Sequence, residues 1–200
     1  MRRSHTTIDP LAECQMGIRK EYGFIMMAHP TVYENLKVAI ENYIYDLDNQ
    51  GEGITVTHRA DLLDMAVMSR RLELQFALID QPYITAELQL SASLKDLADE
   101  ILEQTDDLHL CSLQLRFRLF MPANEQSCER ISQLLRGIWG SEVELELTVI
   151  GTYDPVMGVI ASNQIIADVR FDRKIGEAQI EDIPELVSHM LQTLYRLETI

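Results

Sequence analysis

Leu113, Leu115, Phe117 and Leu119 alternate with Gln114, Arg116 and Arg118 in strict period two. That pattern predicts a strand with one apolar face and one face carrying two arginines, set within an antiparallel sheet whose neighbours answer those charges. Upstream, Thr31 and Glu34 fit a capping box, and Tyr33, Leu36, Ile40, Tyr43, Ile44 and Leu47 recur at helical spacing. The spacing predicts a helix over 31–48, stopped by Asn49, Gln50, Gly51 and Gly53.

Ile54 to Thr57 suits a short strand. Over 58–70 the pattern divides: Leu62, Leu63 and Ala66 suit a helical turn, while Met65, Val67 and Ser69 do not settle it. Leu72, Leu74, Phe76 and Leu78, and then Ile84, Ala86, Leu88 and Leu90, alternate with polar residues on either side of Pro82 and predict a hairpin. Ser93 with Asp96 caps a helix to Gln104, with Leu94, Leu97, Ala98, Ile101 and Leu102 on one face and acids on the other. After the arginine strand, Asn124 caps a helix whose stripe is Cys128, Ile131, Leu134, Leu135 and Ile138, closed by Gly140.

Val143, Leu145, Leu147 and Val149 form the next strand, and Gly151 to Pro155 reads as a turn. Val156 to Phe171 is then either one long strand or a hairpin bent at Ser162 to Gln164. A final helix starts from Asp182 as cap, with Pro184 in its first turn and Ile183, Val187, Met190, Leu191 and Leu194 inward. The order implies an α+β fold, with an antiparallel or mixed sheet and helices packed mainly on one face. Glu73, Glu87, Glu144 and Glu146 lie on strands able to pair with Arg116 and Arg118, each pair worth roughly 0.2 to 1 kcal/mol.

Residues 30–200 read as a single domain. Residues 1–29, with Arg2, Arg3, Arg19 and Lys20 but no sustained period, read as an arm, either partly disordered or pinned by Phe24 to Met27. Residues 72–79 (LELQFALI) and 143–150 (VELELTVI) match in apolar positions, which would divide the domain into similar halves, 30–108 and 109–200. Any two amphipathic strands match in this way, so the echo does not require a duplication.

Charge changes the picture more than length does. The 32 acids against 17 bases give a formal charge of −15 and exclude nonspecific nucleic-acid binding, which needs a basic face. A basic partner suits that balance better. Of the bases, 13 are Arg and 4 are Lys, so most positive charge can fork onto a carboxylate. Cys14, Cys111 and Cys128 are odd in number and widely spaced, which points to a reducing compartment. No apolar run near the start is long enough for a signal or a membrane span, so the expected location is cytoplasmic.

Candidate chemistry is sparse. Asp46, Asp48, Gln50, Gly51 and Glu52 echo the start of a calcium loop, but Thr57 stands where a bidentate Glu is needed, and a frayed helix end explains the run better. His109, Cys111 and Cys128 offer zinc donors, yet Cys111 is in phase with Leu113 and Cys128 lies on an apolar stripe, which makes them core thiols. His58, Asp61 and Asp64 are the one local grouping able to serve as an acid/base or metal set, if their stretch is helical. His29 and His189 lack local partners and read as structural. No Gly-rich phosphate loop, nucleophile elbow or paired CxxC motif occurs, so no cofactor is expected and the balance falls against an enzyme. Asp96, Asp99, Glu100, Glu103, Asp106 and Asp107 are answered locally only by Lys95, and the later ones sit at the unfavourable end of a helix dipole. They are the candidate partner-binding residues.

From Leu110 onward, the run of strand, Pro-Ala-Asn at a helix start, helix, acidic strand, long strand and terminal helix resembles the second part of the class I type III secretion chaperone-like fold. The resemblance implies an acidic dimer that binds another polypeptide along its sheet or helix surface. The expected function is therefore a non-enzymatic, chaperone- or adaptor-like homodimer recognising a polypeptide, with a basic partner favoured and neither nucleic acid nor membrane involved. The rival reading is a small-molecule or metal-binding enzyme domain built around His58 and Asp61 or the Arg116 and Arg118 face.

Overall fold

A computed structural model describes residues 31–51, 53–102 and 111–200, without the side chains of 154 and 159–162. Expectations for the arm at 1–29 and for 103–110 lie outside these residues. Thr31–Ile200 form one compact unit. Its described elements run α1 (Val32–Asn49), β1 (Ile54–Asp64), β2 (Ser69–Leu78), β3 (Gln81–Ala92), α2 (Leu94–Ile101), β4 (Ser112–Leu119), α3 (Glu125–Trp139), β5 (Glu144–Asp154), β6 (Val159–Arg170), a 3-10 turn (Glu177–Asp182) and α4 (Ile183–Leu197). The fold is α+β, and its sheet is wholly antiparallel in the order β1-β2-β3-β4-β6-β5.

Register places the apolar positions of the strands on one face. Leu88 lies opposite Leu115 and Ala86 opposite Phe117, which in turn face Val169 and Ala167 on β6. All six are buried. Leu36, Ile40 and Ile44 of α1, Ile131 and Leu135 of α3, and Val187, Met190 and Leu194 of α4 roof this face. The alternation around Phe117 therefore does what period two requires, sending its arginines to the other side.

Three segments depart from the sequence reading. The 58–70 stretch is not a helical turn: β1 continues to Asp64. Val56 pairs with Phe76 and His58 with Gln75, so Thr57 is an extra residue. That bulge reverses the alternation midway and hides the strand from any period-two search. Gly151 to Pro155 is not a turn either, since β5 runs on to Asp154. The long-strand alternative holds for β6, and Ser162 to Gln164 is a bulge at Asn163, because Ile150 pairs with Gln164 and Gly151 with Ser162. Asp182 makes no capping hydrogen bond; the 3-10 turn runs straight into α4 and lines up its first amides.

The two outer hairpins occupy equivalent places about the sheet centre. Each four-residue turn follows an aspartate, Asp64 or Asp154, and ends on a left-handed residue, Met68 (φ 52°) or Gly158 (φ 68°). Edge strand β1 thus corresponds to edge strand β5. The echo between 72–79 and 143–150 instead aligns β2, one strand in from an edge, with β5.

α1 is capped as its sequence predicts at one end of the box only. The Thr31 Oγ1 accepts from the Glu34 amide at 3.2 Å, but the Glu34 carboxylate turns to Arg70 and Lys37 instead of back to the cap. Beneath it, the Arg70 guanidinium lies 4.6 Å from the centre of the Tyr33 ring, while the buried Tyr33 hydroxyl has no hydrogen-bond partner among the described residues. A buried unpaired hydroxyl costs stability and the ring does not depend on it. Tyr33→Phe is therefore expected to stabilise the protein by about 1 kcal/mol, read as a higher urea midpoint; a lower midpoint would show that the hydroxyl is satisfied in solution.

Candidate functional site

The face of the sheet away from α1, α3 and α4 carries the polar residues of every alternation: Glu73 and Gln75 on β2, Glu87 and Gln89 on β3, Gln114, Arg116 and Arg118 on β4, and Asp168 and Arg170 on β6. Among the described residues no helix covers it. A shallow trough of about 700 Å3 runs over it from Arg71 to Arg170, with Ser93 and Asp96 of the α2 start and Lys174 closing one end.

Its charges are paired in depth. The Arg116 Nε donates to Asp168 Oδ1 at 2.6 Å and its Nη2 to Asp168 Oδ2 at 3.3 Å, a two-pronged contact across β4 and β6. Glu87 takes the Arg118 Nη2 at 2.9 Å and lies 3.9 Å from the Arg116 Nη1. The hydrogen bond to Asp168 leads the causes that raise the Arg116 pKa above the ordinary guanidinium value. Arg170 is held by Glu146 at 2.8 Å and Glu144 at 3.5 Å on edge strand β5, and Arg71 by Glu73 at 3.3 Å. Lys174 pairs with Asp96.

Acids and bases lie at different depths. The side chains of Glu87, Asp96 and Asp168 are 4%, 6% and 8% exposed, whereas those of Arg116, Arg118, Arg170, Lys174 and Arg71 range from 26% to 53%. At Arg116, Arg118 and Lys174 the carboxylates form the floor and the cations the lid, whereas Glu73 beside Arg71 is 20% exposed and Glu144 and Glu146 stand further out than Arg170. Short aspartate and glutamate stems end near the sheet, and long arginine and lysine stems reach over them. Neither His nor Cys is among the described residues lining the trough, which offers fixed charge and hydrogen-bonding groups.

Of the acids expected to answer the β4 arginines, Glu87 does so for both. Glu144 and Glu146 serve Arg170, and Glu73 serves Arg71. Asp168 was not among them, although Ile165, Ala167 and Val169 alternate around it and assign it to the polar face. What hid it was strand order: β6, not β5, lies beside β4.

The candidate partner acids sit as follows. Asp96 is buried at the α2 start, where it closes a capping box with Ser93 and meets Lys174. Asp99 pairs with Lys95. The Glu100 Oε1 accepts the Val32 amide at 2.7 Å, answering the α1 N-terminus. Lys95 is thus not their sole counter-charge. Glu103, Asp106 and Asp107 lie outside the described residues. The helix's expected inward stripe is also mostly outward: Leu94, Ile101 and Leu102 are exposed, and Leu97 packs against the core. With one flank of an eight-residue helix anchored by Asp96, only Leu97 reaches the interior.

His58, Asp61 and Asp64 do not converge. His58 is opposite Gln75 on the open side, Asp61 faces α1 and meets Lys37 at 3.0 Å, and Asp64 caps the hairpin by accepting the Ala66 amide at 2.9 Å. Among the described residues no three His, Cys, Asp or Glu side chains form a metal-sized group. Cys111 is buried, and burial pushes its thiol up to about 12; Cys128 is half-buried on α3. His109 and Glu52 lie outside the described residues. The Asp48 carboxylate of the calcium-loop echo accepts the Val56 amide at 3.3 Å.

On the helix side, Glu34, Lys37, Glu41, Arg59, Asp61 and Arg70 tie α1 to β1 and β2 by ion pairs. Compared with family models, curated proteins and solved structures, the chain matches none. Among the described residues no helix is long and apolar enough to cross a membrane.

Burial acts to raise the carboxyls of Asp96, Asp61 and Glu34, but hydrogen bonds from Lys174 and Ser93 to Asp96, from Lys37 to Asp61, and from Lys37 and Arg70 to Glu34 outweigh it and hold all three below the usual carboxylate range. A carboxyl depressed in the folded state adds stability above its unfolded pKa, about 3.9 to 4.3, and loses it as pH falls through the lower folded value. The urea midpoint is expected to stay level from neutrality to about pH 5 and to drop below about pH 4. Asp96→Asn should make that drop shallower; an unchanged slope would remove Asp96 from the account.

Proposed function

We propose that this protein is a non-enzymatic, cytosolic, chaperone- or adaptor-like homodimer that recognises a polypeptide across its charged sheet face. The observation that carries the reading is the face itself, uncovered by any helix among the described residues: four adjacent strands present fixed charges and amides along an open trough, while the described apolar core lies on the other side. Small-molecule sites are concave and mostly apolar, burying most of their ligand. This trough is shallow and polar, and suits an extended chain whose backbone takes hydrogen bonds from groups such as Gln89, Gln114, Ser91 and Ser112. The resemblance of the second half to class I type III secretion chaperone-like proteins implies the same kind of activity and a dimer. With Asp96 buried and Asp99 and Glu100 engaged, the weight of recognition moves from the acidic helix to the sheet.

The test is a library of random peptides displayed on a solid support, probed with the parent protein, with Gln114→Trp to fill the trough and with Gln192→Trp on the exposed side of α4 as control. A subset of peptides should be retained by the parent and the control, and weakened about tenfold or more by Gln114→Trp. Retention of no peptide, or equal retention by Gln114→Trp, would overturn the reading. Light scattering should give twice the chain mass.

A further inference from the structure

We infer that the segment recognised in the trough is acidic, although the chain as a whole is strongly so. This rests on the reading that the open face binds polypeptide, and it reverses the partner charge that the formal net charge of −15 suggests.

A ligand entering the trough over β3, β4 and the α2 start meets Arg116, Arg118 and Lys174 before Glu87, Asp168 and Asp96, which lie beneath them almost wholly buried; Arg71 and Arg170 extend the cationic row to either side, beside the more exposed Glu73, Glu144 and Glu146. The buried acids also act as braces. Asp168 occupies the Nε and Nη2 of Arg116, whose Nη1 has only the 3.9 Å approach of Glu87, and Glu87 grips Arg118 through Nη2. Guanidinium groups held in place lose little freedom when a further carboxylate arrives, which favours binding. The negative charge elsewhere on the protein is screened beyond about 8 Å at physiological salt, so at contact the sign is set by which of the paired local groups stands outermost, and over β3 and β4 those are the guanidinium groups.

The spacing selects a peptide over a small anion. Arg71 on β2 and Arg170 on β6 are separated by three strand intervals, about 14 Å in all. A phosphate or a single carboxylate cannot engage both ends. An extended chain rises about 3.3 Å per residue and turns alternate side chains to one face, so acids at every second position over about five residues would meet the row. Nucleic acid fits less well: Phe171 is the one aromatic among the described lining residues, where base stacking needs several, and a polyanion longer than the trough would run over acidic surface.

The experiment measures binding of labelled oligo-glutamate, oligo-lysine and glycine-serine peptides of equal length, and of a thymidine oligonucleotide, by fluorescence anisotropy at physiological salt. The variant is Arg71→Gln with Arg170→Gln, chosen because Glu73, Glu144 and Glu146, unlike Asp168 and Glu87, are not buried and tolerate losing their partners. Oligo-glutamate should bind the parent about tenfold or more tighter than either other peptide, and the variant should lose about tenfold of that affinity. Tighter binding of oligo-lysine, no preference among the peptides, oligonucleotide binding equal to that of oligo-glutamate, or an affinity unmoved in the folded variant would each overturn the inference. The comparison among ligands on the parent decides the matter even if the variant fails to fold. Should the random library be retained and blocked by Gln114→Trp without a preference for oligo-glutamate, this inference fails alone; should Gln114→Trp change nothing, the reading of the face fails with it.

Discussion

The structure depends on the cluster in which Arg116 and Arg118 of β4 meet Asp168 of β6 and Glu87 of β3. Helices on one side of a sheet leave the other side to water, and that side must be polar without making the strands interchangeable. Paired charges do this. Arg116 forks onto Asp168 only if β6 lies beside β4 in the register that opposes them, and Arg118 reaches Glu87 only if β3 lies on the other side. Losing one partner of a buried pair costs about 3–5 kcal/mol, because the other charge is stranded. A shift by one residue would strand all four and also turn Phe117 and Leu115 to solvent, so core and cluster enforce the same register.

The helix side uses charge differently. There, Arg59 reaches Glu41 at 2.7 Å and Asp61 reaches Lys37 at 3.0 Å, joining α1 to edge strand β1 at the rim of the core. These groups face α1 only because the bulge at Thr57 reverses the strand's alternation, placing Arg59 opposite Leu74 and Asp61 opposite Leu72. Without the extra residue, His58 and Ala60 would face the helix and Arg59 the open side. One inserted residue thus converts a strand's solvent pattern into a seam between sheet and helix.

That same residue marks where the sequence stops being legible. Elements with an unbroken period, such as α1, the β2–β3 hairpin, β4 and α3, are readable because each buries one face throughout. β1 is not, since a period that changes phase at Thr57 matches neither template over its whole length, and the far end of β5 is hidden because Gly151 and Pro155 read as turn residues although the strand pairs on to Asp154. The site was half legible. The polar faces of β3 and β4 announced Glu87, Arg116 and Arg118, but Asp168 needed a strand order that no local pattern contains. Asp96 reads both as a cap and as a partner-facing acid, and the two look alike in sequence until Lys174, 78 residues away, closes over it.

Formal charge is a sum that ignores depth, and this fold separates the two quantities. A carboxylate under a guanidinium lowers the net charge as much as one at the surface, yet an approaching molecule feels mainly the group on top. At the β5 edge the order is inverted: Glu144 and Glu146 are 72% and 55% exposed, while the Arg170 they hold is 39% exposed. The cationic floorplan therefore ends at β6 and is bounded on that flank by outward acids. An acidic ligand lying across the strands is drawn from β2 as far as β6 and repelled one strand further on, so the arrangement that attracts it also limits its length and fixes where it stops.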